Sequence, residues 1–127
     1  MRILIADDEP LARNRLASLC ARQEDLDVVA QAESGRAAID AIRALRPDVL
    51  LLDVELRDMT GFEVLRALGG GEEPLTIMVT AHPEHAAEAF DAEAIDYLTK
   101  PVDDRRFGAA IERARNRRAQ VQALRVR

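Results

Sequence analysis

The run Val49 to Asp53, VLLLD, restricts the fold of this chain more than any other stretch. Four apolar residues in a row, preceded by Pro47 and Asp48 and closed by an acid, leave no polar face. Such a run reads as a strand covered on both sides, as at the centre of a parallel sheet. Its last residue then emerges at the carboxyl edge of the sheet, where open α/β folds collect their ligands.

The rest of the chain supplies the neighbours such a strand needs. Arg2–Ala6 (RILIA), Asp27–Ala32 (DVVAQA), Leu75–Thr80 (LTIMVT) and Ala94–Leu98 read as four more strands. Helical patterns lie between them. Leu11, Leu16, Leu19 and Cys20 form a stripe after Pro10, and Ala38, Ile39, Ile42 and Leu45 another after a Ser34 cap. Thr60 caps a helix carrying Phe62, Val64, Leu65 and Leu68, which Gly69-Gly70-Gly71 stops. A short Ala-rich helix spans Glu84 to Phe90, and Asp103 and Asp104 start a last helix with Phe107, Ile111 and Ala114 inward. Strand then helix, five times over, predicts a doubly wound α/β fold, (βα)5, with helices on both faces of a five-stranded parallel sheet. Arg118 falls on the inward stripe of the last helix, so packing is expected to end near it. Residues 116–127 then form a basic linker or helix extension.

Length and composition narrow the function. At 127 residues the chain reads as one domain able to bury roughly two thirds of the surface its unfolded form exposes. The single cysteine, Cys20, lies on an apolar stripe and reads as inert. With no amino-terminal signal pattern and no apolar run near the roughly 20 residues of a membrane span, the expected location is cytoplasmic, with no membrane partner. Aromatics are 3% of residues, too few for a base-stacking platform. The net charge of −5 is unevenly placed: Arg105 to Arg127 holds eight arginines and one acid, which leaves −12 on residues 1–104. A solvated helix whose arginines complement its own dipole accounts for the basic end. The sharper alternatives are a partner-helix surface or the lead into a nucleic-acid-binding module.

At the carboxyl ends of the expected strands stand Asp7, Asp8, Asp53, Thr80 and, one turn further, Lys100. A right-handed doubly wound sheet brings these ends to one cleft. Each has an ordinary explanation: Asp8 as a helix cap, Asp7 as a turn acid, Asp53 as a strand end. None explains why they occur together. Two carboxylates about 4 Å apart repel by on the order of 4 kcal/mol at an effective dielectric of 20, so three need protons or a cation. An all-oxygen set with open positions suits Mg²⁺. An aspartate flanked by a metal, a lysine and a hydroxyl donor is equipped to accept a phosphoryl group.

The segments IADDEPLAR (Ile5 to Arg13), PDVLLLD (Pro47 to Asp53), MVTA (Met78 to Ala81) and DYLTKP (Asp96 to Pro101), in this order, resemble the receiver domain of two-component response regulators over residues 2–115. The resemblance implies the flavodoxin-like strand order 2-1-3-4-5 and Mg²⁺-dependent phosphoryl transfer from a sensor histidine kinase to Asp53. Asp7, Asp8, Asp53 and the backbone carbonyl of Glu55 would hold the metal. Lys100, Thr80 and the Ala81 backbone N–H would meet phosphoryl oxygens. Thr80 and Tyr97 would form a switch that alters the surface of the fourth helix, fifth strand and fifth helix. Glu55 and His82 would border the path of the water that removes the phosphoryl group. The family implies phosphoryl acceptance and self-dephosphorylation, not enzymatic turnover, and a cis bond before Pro101.

Glu84 to Asp103, with DDEPLAR, is similar to receivers that precede a LytTR-type DNA-binding domain. That implies control of transcription through an output domain absent from this chain, or else a stand-alone receiver acting through protein partners. Acidic Glu84, Glu88 and Asp91 and basic Arg113 and Arg117 suggest a phosphorylation-linked homodimer through the fourth helix, fifth strand and fifth helix. One departure from the family is Arg57, where a proline is usual, which is expected to loosen the loop after Asp53. His82 and His85 lack a third ligand in the sequence and read as surface residues. A phosphatase of the haloacid dehalogenase type would need an acid/base Asp where this chain has Glu55. A receiver working without phosphorylation would typically lack one of the acids or the lysine, and none is missing.

Overall fold

The computed structural model describes residues 1–70 and 73–126; Gly71 of the expected glycine stop and Arg127 at the basic end lie outside them. In chain order the elements are β1 (Arg2–Ala6), α1 (Pro10–Ala21), β2 (Asp27–Ala32), α2 (Gly35–Leu45), β3 (Val49–Asp53), α3 (Gly61–Leu68) and β4 (Leu75–Thr80). A 3₁₀ turn (Pro83–His85), α4 (Ala86–Asp91), β5 (Asp96–Thr99) and α5 (Asp104–Val126) follow. The strands form one parallel sheet in the order β2-β1-β3-β4-β5, the flavodoxin-like order.

β3 is central, and all five residues of VLLLD are buried. Side chains alternate across the pleat. Val49 and Leu51, with Ile3, Ile5, Ile77 and Val79, pack under Leu16, Leu19 and Cys20 of α1 and Phe107, Ile111 and Ala114 of α5. Leu50 and Leu52, with Leu4 and Met78, face Ala38, Ile39 and Ile42 of α2, Val64 and Leu65 of α3 and Ala89 of α4. Ala6 pairs with Leu52, Asp53 with Val79 and Thr80 with Thr99, so β1, β3, β4 and β5 end almost level. The residues at and just beyond those ends share one edge.

Local signals set most helix starts. The Ser34 hydroxyl accepts from the Ala37 N–H at 3.1 Å, and Thr60 and Glu63 form a reciprocal capping box. Asp103 accepts from the Arg105 N–H at 2.7 Å. Asp8 does not cap α1, whose N-cap residue is Glu9 without a side-chain bond and whose first turn is opened by Pro10.

Three local expectations are corrected. Leu11 is 83% exposed, because at five residues' spacing it lies about 140° around the helix from Leu16. The Glu84–Phe90 helix is split, a 3₁₀ turn at Pro83–His85 preceding six α-helical residues. β5 begins at Asp96 because Glu93 adopts a left-handed φ of 64° and the Ala94 N–H closes back onto the Ala89 carbonyl. Of the two alternatives for residues 116–127 the structure has the helix extension: α5 runs unbroken to Val126, and Arg118 lies 3.6 Å from Asp48. Among the described residues no helix is long and apolar enough to cross a membrane.

Candidate functional site

The carboxyl edge of the sheet carries a cluster of acids around one lysine. Asp7 and Asp53 are only 1% and 4% exposed. Lys100 Nζ lies 2.7 Å from Asp7 Oδ2, 3.0 Å from Asp53 Oδ2 and 3.0 Å from Glu9 Oε1. Oxygens of Asp7, Asp8, Glu9 and Asp53 lie within 4.8 Å of one another. Sequence alone puts Glu9 in an acidic turn before Pro10 and gives it no role; its only signal is being the third acid in a row.

The two buried carboxylates are oriented by the backbone. Asp7 Oδ1 accepts from the Glu9 N–H at 2.9 Å, and Asp53 Oδ1 from the Glu55 N–H at 3.2 Å. Lys100 donates to Asp53 Oδ2 and Glu9 Oε1. Asp7 Oδ2 is buried, and its one polar partner is the Lys100 ammonium at 2.7 Å. One ammonium shared among three carboxylates leaves the buried negative charge only partly offset, and a further cation would complete it. The donor set, all carboxylate oxygen, is one a hard divalent cation accepts, so the residues fit Mg²⁺.

Electrostatics follow from the burial. Desolvation pushes the Asp53 carboxyl up to about 6, with the Lys100 hydrogen bond opposing and the Asp7 charge adding to the rise. Burial works against the charge on Lys100, but Asp7, Asp53 and Glu9 outweigh it and hold the ammonium above its ordinary range. Asp53 is therefore a carboxylate whose negative charge is poorly solvated, fixed by two donors and beside a buried acid that shares its lysine.

The approach to Asp53 is built by small residues and a pinned loop. A Cβ on Gly61, the first residue of α3, would stand 2.4 Å from the Asp53 carbonyl oxygen, so only glycine lets the helix start there. The loop after β3, which carries Arg57, is tied to its neighbours on both sides of that residue. Asp58 accepts from the Gly35 and Arg36 N–H groups at 2.7 and 3.0 Å, and Glu55 pairs with Thr60 in an isolated bridge. Those two N–H bonds, at the start of α2, hold the Asp58 carboxyl below its usual range. Asp58 has no sequence signal, since its partners lie 22 and 23 residues away.

Thr80, Ala81, His82 and Tyr97 lie at the neighbouring strand ends. Thr80 is fully buried; its hydroxyl oxygen accepts from the His82 N–H at 3.2 Å, and its carbonyl accepts from the Lys100 N–H at 2.8 Å. The half-buried Tyr97 donates its hydroxyl to the His82 carbonyl. One peptide segment at His82 thus touches both Thr80 and Tyr97. Ala81 lies exposed between Thr80 and His82. The Glu55 side chain turns away from Asp53 toward His82 and His85. The Lys100–Pro101 peptide is cis.

Comparison with known proteins agrees with this arrangement. The profile of a family described as "Response regulator receiver domain" matches residues 3–112. The chain is similar to the "Transcriptional regulatory protein BtsR" of Salmonella typhi, 38% identical over 94% of this chain and 50% of that protein. It is 42% identical to an uncharacterized response regulatory protein of Vibrio cholerae, over 87% of this chain and 43% of that one. The chain therefore spans about half the length of the curated relatives it matches. Among solved structures, the response regulatory domain of protein mrkE from Klebsiella pneumoniae superposes with a TM-score of 0.86 at 26% identity, covering 94% of this chain and 99% of that one. The REC domain of AraT from Geobacillus stearothermophilus superposes with a TM-score of 0.82 at 28% identity, covering 95% and 97%.

Proposed function

The chain belongs to the response regulator receiver domain family of two-component signalling, and from that premise we propose that Asp53 is the phosphoacceptor. The observation that carries the reading is the buried Asp53 carboxylate, held between Lys100 and the Glu55 N–H beside a second buried acid, Asp7, that shares the same ammonium. An Asp53 oxygen attacks the phosphorus of a phosphohistidine on a sensor kinase. The phosphorus–nitrogen bond breaks, its electron pair stays on the imidazole, and the acyl phosphate forms.

Asp7, Asp8, Asp53 and the Glu55 carbonyl are the residues to hold Mg²⁺, with Glu9 at the rim. When bound, the ion offsets the charge of the carboxylates and of the phosphoryl oxygens. Lys100 supplies the fixed positive charge of the cleft and moves from the acids it holds, Asp7, Glu9 and Asp53, to a phosphoryl oxygen. Thr80 turns its hydroxyl to another, and the Ala81 N–H meets a third. Reorienting Thr80 removes its hydrogen bond from the His82 N–H, and the His82 carbonyl is what Tyr97 holds. That linkage supports Tyr97 as the residue that carries the change to the surface of α4, β5 and α5. Glu55 and His82, at the mouth, modulate loss of the phosphoryl group.

Residues 2–115 act as the receiver and residues 116–127 as a basic extension toward an output region. The curated similarity to transcriptional regulatory proteins, of which this chain spans half, supports a cytoplasmic regulator with a DNA-binding output, of LytTR type by its α4–β5 sequence. Phosphorylation strengthens a homodimer through α4, β5 and α5. The test is Mg²⁺-dependent labelling with a small phosphodonor. Lys100→Ala should slow labelling at least tenfold and Asp8→Asn should remove its dependence on Mg²⁺; unchanged labelling in both variants contradicts the reading.

A further inference from the structure

Arg13, the last residue of the segment IADDEPLAR, is a cation in an unfavourable place. It is the fourth residue of α1, close to the positive end of the helix dipole, where an acid would be favoured. Its side chain accounts for the position. Arg13 Nη1 donates to the Asp7 carbonyl at 2.6 Å, reaching back across the turn between β1 and α1.

The ladders of β1 with β2 and with β3 both end at Ala6, and just beyond them the Asp7 N–H still reaches the Ala32 carbonyl at 3.0 Å. The Asp7 carbonyl is taken by the guanidinium instead of by a strand. Asp7 is thereby fixed at three points: its N–H on Ala32, its carbonyl on Arg13 and its Oδ1 on the Glu9 N–H at 2.9 Å. Asp8 has no such ties; among the described residues no hydrogen bond or ion pair holds its carboxylate. Its direction is set by the backbone that carries it. The Asp7 carbonyl and the Asp8 N–H belong to one planar peptide, so a donor that fixes the carbonyl fixes the plane from which Asp8 departs.

We propose that Arg13 is a positioning residue for the cation site of the cleft: by holding the peptide between Asp7 and Asp8, it keeps their carboxylates converging on one point. This rests on the reading of Asp7 and Asp8 as ligands of Mg²⁺. The sign of the effect separates positioning from plain electrostatics. A guanidinium beside a cluster of acids repels an incoming divalent ion, so by Coulomb's law alone its removal would tighten Mg²⁺ binding. Loss of orientation acts the other way, since partners that orient metal-binding carboxylates are typically worth about 10–100-fold in affinity.

Calorimetric titration of the whole unphosphorylated chain with Mg²⁺ tests the role without any phosphoryl transfer. Arg13→Ala and Arg13→Met, both with good helix formers and the second keeping the apolar stem, should weaken binding by about tenfold with unchanged circular dichroism. Arg15→Ala is the control. It removes a guanidinium from the same helix, but one that donates to the Val102 carbonyl at 3.0 Å, and it should bind Mg²⁺ at least as tightly as the wild type. In labelling with a small phosphodonor, the Mg²⁺ needed for half-maximal rate should rise in both Arg13 variants, while the rate at saturating Mg²⁺ stays within about twofold of the wild type. Binding unchanged or tightened in the Arg13 variants, binding weakened equally in Arg15→Ala, or a rate that falls as far at saturating Mg²⁺ overturns the role of Arg13 and leaves the cleft as a Mg²⁺ site. A wild-type chain that takes up no Mg²⁺, or no more than Asp8→Asn does, overturns the metal reading and the positioning role with it.

Discussion

Asp53 carries a charge that its surroundings only partly accept. Its folded value, about 6, lies above that of an unfolded aspartate, so the protonated form is the one the fold favours. The sign follows: the contribution of Asp53 to the stability of the metal-free protein is fully present below about pH 4 and is lost as pH rises through about 6. A rise of this size in a carboxyl pKa is worth about 3 kcal/mol. In urea titrations with a chelator, Asp53→Asn should gain on the wild type through this window and level off above it; a difference independent of pH would contradict the burial argument. Added Mg²⁺ should narrow the gap at pH 7 by stabilising the wild type. Gly61 has the opposite character, needed for what it lacks. Gly61→Ala forces a Cβ against the Asp53 carbonyl and should cost about 1–3 kcal/mol in chemical denaturation, as overpacking does. Asp7, Asp8 and Lys100 are legible in the sequence because strand ends are predictable. Glu9 and the Glu55–histidine contacts are not, because side-chain direction in a loop is not.

At the scale of elements, the strands are the most legible part of the chain. VLLLD and LTIMVT have no continuous polar face, and only a doubly covered strand accommodates that. The caps at Ser34 and Thr60 are legible because their signal is local, and Thr60→Ala should cost about 1 kcal/mol by thermal melting. What the sequence hides is angular or nonlocal. Apolarity groups Leu11 with Leu16 although the helix turns Leu11 outward, and the Asp58 tether that replaces a proline's stiffness depends on the distant start of α2. The junction of β5 and α5 shows a further nonlocal device. Asp96, 3% exposed, takes Arg106 Nη1 at 2.9 Å, with Arg113 at 3.5 Å. Burial opposes the charge, but the Arg106 hydrogen bond, the Tyr97 N–H and Arg113 together keep the carboxyl below its ordinary range. That stability is present above the unfolded value near 4 and is lost as pH falls through the lower folded value. Asp96→Asn should therefore narrow the loss of stability on acidification, and an identical acid limb in both proteins would contradict it.

The whole molecule is an acidic sheet edge on a neutral core, with a basic helix leading away from it. The edge is a consequence of topology: order β2-β1-β3-β4-β5 places Asp7, Asp53, Thr80 and Lys100 at adjacent strand ends, though they span 94 residues of sequence. The last turns of α5 add little to that core, since Phe107, Ile111 and Ala114 are its buried face and the turns beyond Arg118 are mostly exposed. Truncation after Arg118 should leave folding stability within about 1 kcal/mol and phosphoryl acceptance intact. The central claim is that this edge exists to place a phosphoryl group on one carboxylate. Intact-mass measurement after incubation with a small phosphodonor and Mg²⁺ tests it most directly. The account predicts one added phosphoryl group on the wild type and none on Asp53→Asn; an adduct that persists in the variant, or its absence from the wild type, would contradict it.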